Sequence, residues 1–455
     1  MPVVTVVGAS GTSIPVTVNG GVAFSLAQAY ASALNTLAGQ GSLFSQTLSG
    51  PGSASTSVPG NFQGQTLVTI GGSYSFPTGY SFLTNGAAGG VLLDSTLVAS
   101  STSVLASTGG TTLLGGAGGG LFIGGGGPNI FEGLSSGSGN YVIATADGND
   151  SIYGNSGSDL IYAGIGQNQI FTGTGNDTVF SSGTDSIIAG SGTNTVALTG
   201  SSSTVYGGSG AITLVDAGSK NLYAGGSGST LLFDGSAGSY FLSGTSTVIG
   251  GINDTISASG NATVFGGNNT TVFENGTGSL AFIANPGLSG TISGGSAATV
   301  FGANNANIVY SSSSGLSYLI AATGNETLDG SGASGALNLF GNGAQTDLLG
   351  GSGADTLVAS TGNSSLTGGS GAANMFVFSN RSAGGTDVIT DFGSAAGNMV
   401  GLFGYGANAV QTALNGATST AQGGSIIALS DNTTITFTNL TVDQLKAHSS
   451  QFFST

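Results

Sequence analysis

A beat of nine residues constrains this chain more than any other feature. It runs Gly148-Asn149-Asp150-Ser151-Ile152, Gly157-Ser158-Asp159-Leu160-Ile161, Gly166-Gln167-Asn168-Gln169-Ile170 and Gly175-Asn176-Asp177-Thr178-Val179. Each block is a glycine, a short oxygen-bearing side chain two residues on, and an apolar β-former two residues after that. So short a period cannot be a domain; it is a turn followed by a brief strand, copied along the chain. One buried Val or Leu contributes about 1.5–3 kcal/mol, while ordering each backbone residue costs about 1–2 kcal/mol. An isolated block therefore cannot fold, and the blocks must stack as a β-solenoid.

The blocks resemble the nonapeptide repeats of the RTX (repeats-in-toxin) family, G-G-x-G-x-D-x-U-x with U apolar. The fullest match is Gly350-Gly351-Ser352-Gly353-Ala354-Asp355-Thr356-Leu357. The resemblance implies parallel strands, calcium held at the glycine-aspartate turns, and secretion by a type I system reading an uncleaved C-terminal signal. The ending Gln451-Phe452-Phe453-Ser454-Thr455 is compatible with such a signal. The chemistry agrees: glycine supplies positive φ without steric cost, and aspartate supplies the hard anionic oxygen that Ca²⁺ takes.

The fold expected is all-β: a parallel β-roll or β-helix solenoid over 113–380, a small mixed α+β module over 1–112, and a β-rich cap over 381–455. In the first module Val3–Val7 and Ile14–Val18 read as strands. Phe24–Leu37 reads as a helix, with Leu26, Tyr30, Ala33, Leu34 and Leu37 on its apolar face. Ser49–Gly60 reads as a linker. In the solenoid the central apolar residues continue as Val179, Ile187, Val196, Val205 and Leu214. They then drift through Leu222 and Leu231 to Val248 and onward to Leu366. Changes of register near Ala237–Gly244 and Asn285–Gly287 are expected as bulges or insertions. In the last segment Thr386–Phe392 matches the family's D-x-I-x-D-F element. Ser425–Leu429 and Thr434–Phe437 read as a hairpin, and Val442–His448 as a short helix.

With two repeats to a coil, side chains sharing an edge lie about 18 residues apart. That places Asp159 beside Asp177, Asp150 beside Asn168, Asn168 near Asp185, and Asp177 near Asn194. These six, with Asp355, are the candidate Ca²⁺ ligands. The same arithmetic sets Asp355 opposite Ala373 and leaves its site incomplete. The alternative is that all are solvated turn residues, since Gly, Asn, Asp and Ser dominate turns regardless of metal. Across 196–340 the turns mostly carry neutral oxygens, such as Asn268, Asn269, Asn304 and Asn305, and calcium is not expected over most of that stretch.

Composition narrows the function. The chain of 455 residues has 3 Lys+Arg against 19 Asp+Glu, no cysteine and one histidine, with a net charge of −16. So few cations cannot neutralise a nucleic acid backbone, and divalent cations are the natural counterions. Gly133-Leu134-Ser135-Ser136-Gly137 fits G-x-S-x-G, but a nucleophilic serine needs a base, and His448 stands alone near the end. An enzyme is not expected. The expected function is a secreted bacterial structural protein at the cell surface, calcium-supported and self-assembling into a surface layer, matrix or filament. The alternative is an adhesin that binds cell-surface polysaccharide, with Tyr30, Phe62, Tyr74, Phe76, Tyr80 and Phe82 as an aromatic platform and the solenoid as spacer. No transmembrane segment is expected.

Overall fold

The computed structural model describes residues 2–19, 21–76, 79–228, 230–295 and 297–455. The chain forms two compact units, Met1–Gly235 and Ser236–Thr455. Each is a parallel β-solenoid in which every coil gives one short strand to each of two facing sheets.

In the first unit, sheet I contains Tyr141–Ala144, Leu160–Ala163, Thr178–Ser181 and Asn194–Leu198, and sheet II contains Ser151–Tyr153, Gln169–Phe171 and Ser186–Ile188. Coils advance by 18 residues from Val142 to Leu160 to Thr178, then by 17 to Thr195. Two nonapeptides therefore make one coil. The apolar residue of each block is the inward one: Ile152, Ile161, Ile170, Val179, Ile187, Val196 and Val205 are all fully buried. The drift beyond Leu214 slips by one residue. Tyr223 and Leu232 are buried, whereas Leu222 and Leu231 face outward. A one-residue slip turns a strand over, because side chains alternate between faces.

The solenoid starts far earlier than its nine-residue beat. Leu43–Leu48 already pairs in parallel with Gln63–Val68, and that strand with Tyr80–Asn85. In this unit the described residues before Leu43 stand outside the coils. They are the antiparallel hairpin of β1 (Val3–Val7) and β2 (Ser13–Thr17), and helix α1 (Gly21–Gly39). Ala23, Ala27, Tyr30, Ala31 and Leu34 form the buried face of α1. They pack with the hairpin on the outer face of sheet I, over Leu105, Ile123 and Ala144. The aromatic platform is not present as a surface. Tyr30, Tyr74, Phe76 and Tyr80 are buried, Phe82 is half-buried with its ring edge-on to Tyr30, and Phe62 is exposed.

In the second unit, sheet III includes Ala262–Phe265, Leu280–Ile283 and Ala298–Phe301, and sheet IV includes Thr255–Ala258, Thr270–Glu274 and Ser289–Gly294. Coil length varies more here: 16 residues from Thr247 to Thr263, 20 from Asn325 to Gln345, 19 from Thr356 to Met375. The slack sits in the turns, where Ala237 has φ +52° and Gly287 φ +74°. Asn253, Asn269 and Asn305 take the same left-handed conformation. Asparagine tolerates that region, so these turns need it for backbone geometry. Alanine does not, at a cost of about 1–2 kcal/mol. Ala237→Gly is accordingly expected to raise stability by about 1 kcal/mol, read as a higher denaturant midpoint.

The chain end closes this unit. Ser425–Ala428 and Thr434–Phe437 form the expected hairpin, and Thr434–Phe437 also pairs in parallel with Thr386–Ile389. A helix spans Val442–Ala447 with a Thr441/Gln444 capping box, and Phe452 packs among Phe392 and Phe437. The covering hairpin satisfies a strand edge that would otherwise invite further pairing.

Candidate metal centre

The oxygen-bearing residue of each block sits just before its strand and turns inward. In the first unit these residues build two files, one leading each sheet. Along sheet I, Asp159 Oδ1 accepts the Tyr141 N–H at 2.8 Å, Asp177 Oδ1 accepts the Asp159 N–H at 2.8 Å, and Asn194 Oδ1 accepts the Asp177 N–H at 3.0 Å. Along sheet II, Asp150 Oδ1 accepts from Asn129 N–H, Asn168 Oδ1 from Asp150 N–H, and Asp185 Oδ1 from Asn168 N–H, at 2.7–2.9 Å. Ser203 and Asn221 carry that file onward. The spacing of 17–18 residues thus brings together the expected neighbours, and each file ties one coil to the next.

These are not solvated turn residues. Asp150, Asp159, Asn168, Asp177, Asp185 and Asn194 are all 1–3 % exposed. Burial pushes the Asp150 and Asp159 carboxyls up to about 6, against the stabilising hydrogen bonds they accept, and raises Asp177 and Asp185 in the same direction. A buried carboxylate without a compensating charge is costly, and the chain has 3 Lys+Arg in all.

In the second unit the same device appears where the motif is fullest, with one correction. Asp355 Oδ1 accepts the Leu337 N–H at 2.8 Å, and the Asp355 N–H is taken by Asn374 Oδ1 at 2.9 Å. Its neighbour is Asn374 rather than Ala373, because this coil has 19 residues. Asn398 Oδ1 then accepts from Asn374 N–H. A further inward file, missed in the sequence, aligns Glu326, Thr346, Ser364 and Asp387 along sheet IV. All four are buried, and each has an oxygen without a hydrogen-bond partner: Glu326 Oε1, Thr346 Oγ1, Ser364 Oγ and Asp387 Oδ2. Burial pushes Glu326 and Asp387 up to about 7. Their signal was present as an oxygen two residues before Leu328, Leu348, Leu366 and Ile389, but coil lengths of 18–23 residues hid it. Asp391, four residues past Asp387, instead accepts the Gly368 and Gly369 N–H groups, so the two acids have separate structural duties.

The donors fit a hard divalent cation. With Oδ1 committed to the coil before, Asp150 Oδ2 and Asp177 Oδ2 are buried without a hydrogen-bond partner, and Asp159 Oδ2 has a long 3.4 Å contact to the Asn155 N–H. Backbone oxygen converges on the same places. A Cβ at Gly350 would meet Gly368 O at 2.5 Å and Asp355 Oδ2 at 2.6 Å, and one at Gly154 would meet Thr172 O and Asp159 Oδ2. Among the described residues no three acidic or histidine side chains cluster. A cation here therefore draws on carboxylate and amide oxygens mixed with turn carbonyls, a donor set that suits Ca²⁺.

A family model for the RTX calcium-binding nonapeptide repeat, in four copies, matches residues 145–179 and 349–372. No curated protein and no solved structure matches the chain. The two matched segments coincide with the Asp150–Asp177 files and with Asp355, the places where buried carboxylates face turn carbonyls. Within its parallel β-solenoid the chain therefore carries calcium-binding nonapeptide repeats of the RTX type.

Proposed function

We propose that the protein is a secreted, calcium-supported structural element that assembles with copies of itself on a bacterial surface, as a layer, matrix or filament. Asp150, Asp159, Asn168, Asp177, Asp185 and Asn194 in the first unit, and Asp355 in the second, are the side chains assigned to Ca²⁺. The observation that carries the reading is the burial of acids in both units with so few basic side chains to neutralise them. Bound Ca²⁺ would supply the missing positive charge at these carboxylates. The protein's own residues fix the geometry: backbone N–H groups hold each Oδ1, and the glycine turns admit carbonyls where a side chain would block them. Among the described residues no helix is long and apolar enough to cross a membrane. The adhesin alternative keeps Phe62 exposed and Phe82 half-buried, while Tyr30, Tyr74, Phe76 and Tyr80 of its platform are buried.

Light scattering on the purified protein tests the assembly. Particle mass is expected to rise on adding millimolar Ca²⁺ and to fall on chelation. A mass that stays monomeric at high protein concentration in Ca²⁺ removes the assembly from the reading.

A further inference from the structure

Sheet III of the second unit carries an outward column that alternates without a break: Ile249, Phe265, Ile283, Phe301, Ile320, Phe340. Each residue sits one rung above the last in direct register. Ile249, Phe265 and Phe301 are 39–41 % exposed, high for large apolar side chains. The column beside it is Thr247, Thr263, Ala281 and Thr299, so this stretch of the face holds no charge. Sheet IV of the same unit differs. There Phe241 and Phe273 alternate with Ser257 and Ser293, next to a threonine column.

We propose that this Ile/Phe face of sheet III is the contact between copies of the chain, packed sheet on sheet about a two-fold axis between Ile283 and Phe301. The proposal rests on the self-assembly reading and names its surface. Three observations select a second copy as occupant. First, the alternation is self-complementary. A two-fold axis at the centre of six alternating rungs sets every isoleucine against a phenylalanine: Ile283 against Phe301, Phe265 against Ile320, Ile249 against Phe340. Large faces small at each level, as close packing of two sheets requires. Second, the net charge of −16 makes most like-with-like contacts repulsive, and this face avoids that cost. Third, the area suits a weak pairing of two copies. Six rungs at about 4.8 Å by four residues at about 3.3 Å cover about 380 Å² on each copy, about 760 Å² from two. That is below the roughly 1,000 Å² of a stable specific interface and fits a weak, reversible pairing of two copies. The protein already covers such a face once, where α1 lies over Leu105, Ile123 and Ala144.

The test is sedimentation of the full chain in Ca²⁺ with three variants. Phe265→Lys/Phe301→Lys is expected to stay monomeric at concentrations where the wild type associates, a loss of at least about tenfold in affinity. Thr255→Lys/Thr271→Lys, on sheet IV, is expected to associate like the wild type. Circular dichroism checks each fold, and Phe265→Ser/Phe301→Ser replaces the lysine variant if that one does not fold. Mixing Ile283→Glu with Phe301→Lys, each monomeric alone, is expected to restore association through the Glu–Lys contact that the two-fold axis creates. Unchanged association of the sheet III variants overturns this surface and leaves self-assembly standing. A wild type that never associates overturns both. Failure of the mixed pair to associate overturns the two-fold arrangement.

Discussion

Stripped of calcium, the protein is expected to be more stable at pH 5 than at pH 8, the reverse of ordinary acid denaturation. Burial holds Asp150 and Asp159 up to about 6, and Glu326 and Asp387 up to about 7, above the values they have in an unfolded chain. A folded state that binds protons more tightly than the unfolded one is favoured at low pH. That stability is fully present below about pH 4 and is lost as pH rises through about 6 to 7. At 1.36 kcal/mol per pKa unit, Asp150 and Asp159 account for on the order of 3 kcal/mol each. Calcium reverses the trend, because it binds the ionised form. At free Ca²⁺ about 100-fold above its dissociation constant, each site adds about 2.7 kcal/mol. Thermal melts at pH 5 and pH 8, with Ca²⁺ or with chelator, measure all four corners. A metal-free melting temperature that climbs from pH 5 to pH 8, with no response to Ca²⁺, contradicts the account.

Asp177 is expected to separate the two tasks of its side chain. In Asp177→Ala the Asp159 N–H loses its acceptor inside the protein. A buried donor left unmet costs about 1–3 kcal/mol, so this variant should melt lower with and without Ca²⁺. Asp177→Asn keeps an oxygen for that N–H and removes a buried charge, as Asn194 and Asn168 already do in neighbouring coils. It should therefore be more stable than the wild type without metal at pH 8, yet bind Ca²⁺ at least about tenfold more weakly by calorimetry. If both variants lose the same stability in chelator and keep wild-type affinity, Asp177 is a spacer and not a ligand.

The solenoid and its edges were legible where the period held. From Ile152 to Val205 a single apolar residue per block must enter a thin core, so sequence spacing and burial coincide. The first coils were not legible, because Leu43, Gln63, Tyr80 and Thr102 open strands separated by turns of unequal length. Their interior also accepts Thr66, fully buried, where an apolar residue is expected, and Gln65 is buried on the opposite face beneath the hairpin. Asp355 shows the same limit in miniature. Its motif was evident, but one added residue in the coil moved its neighbour from Ala373 to Asn374. Glu326 escaped because a longer acid in a 20-residue coil departs from the repeat in both identity and spacing. In each case turn length, which carries no hydrophobic signal, decided the register.

The files of buried amides and acids also have a sense of travel. In every link the acceptor belongs to the later coil and the donor to the earlier one, from Tyr141 toward Asn194 and from Leu337 toward Asn398. A rung whose successor is cut away keeps a buried N–H with no acceptor, so a chain truncated after any of these coils is left with a donor to satisfy at its new end.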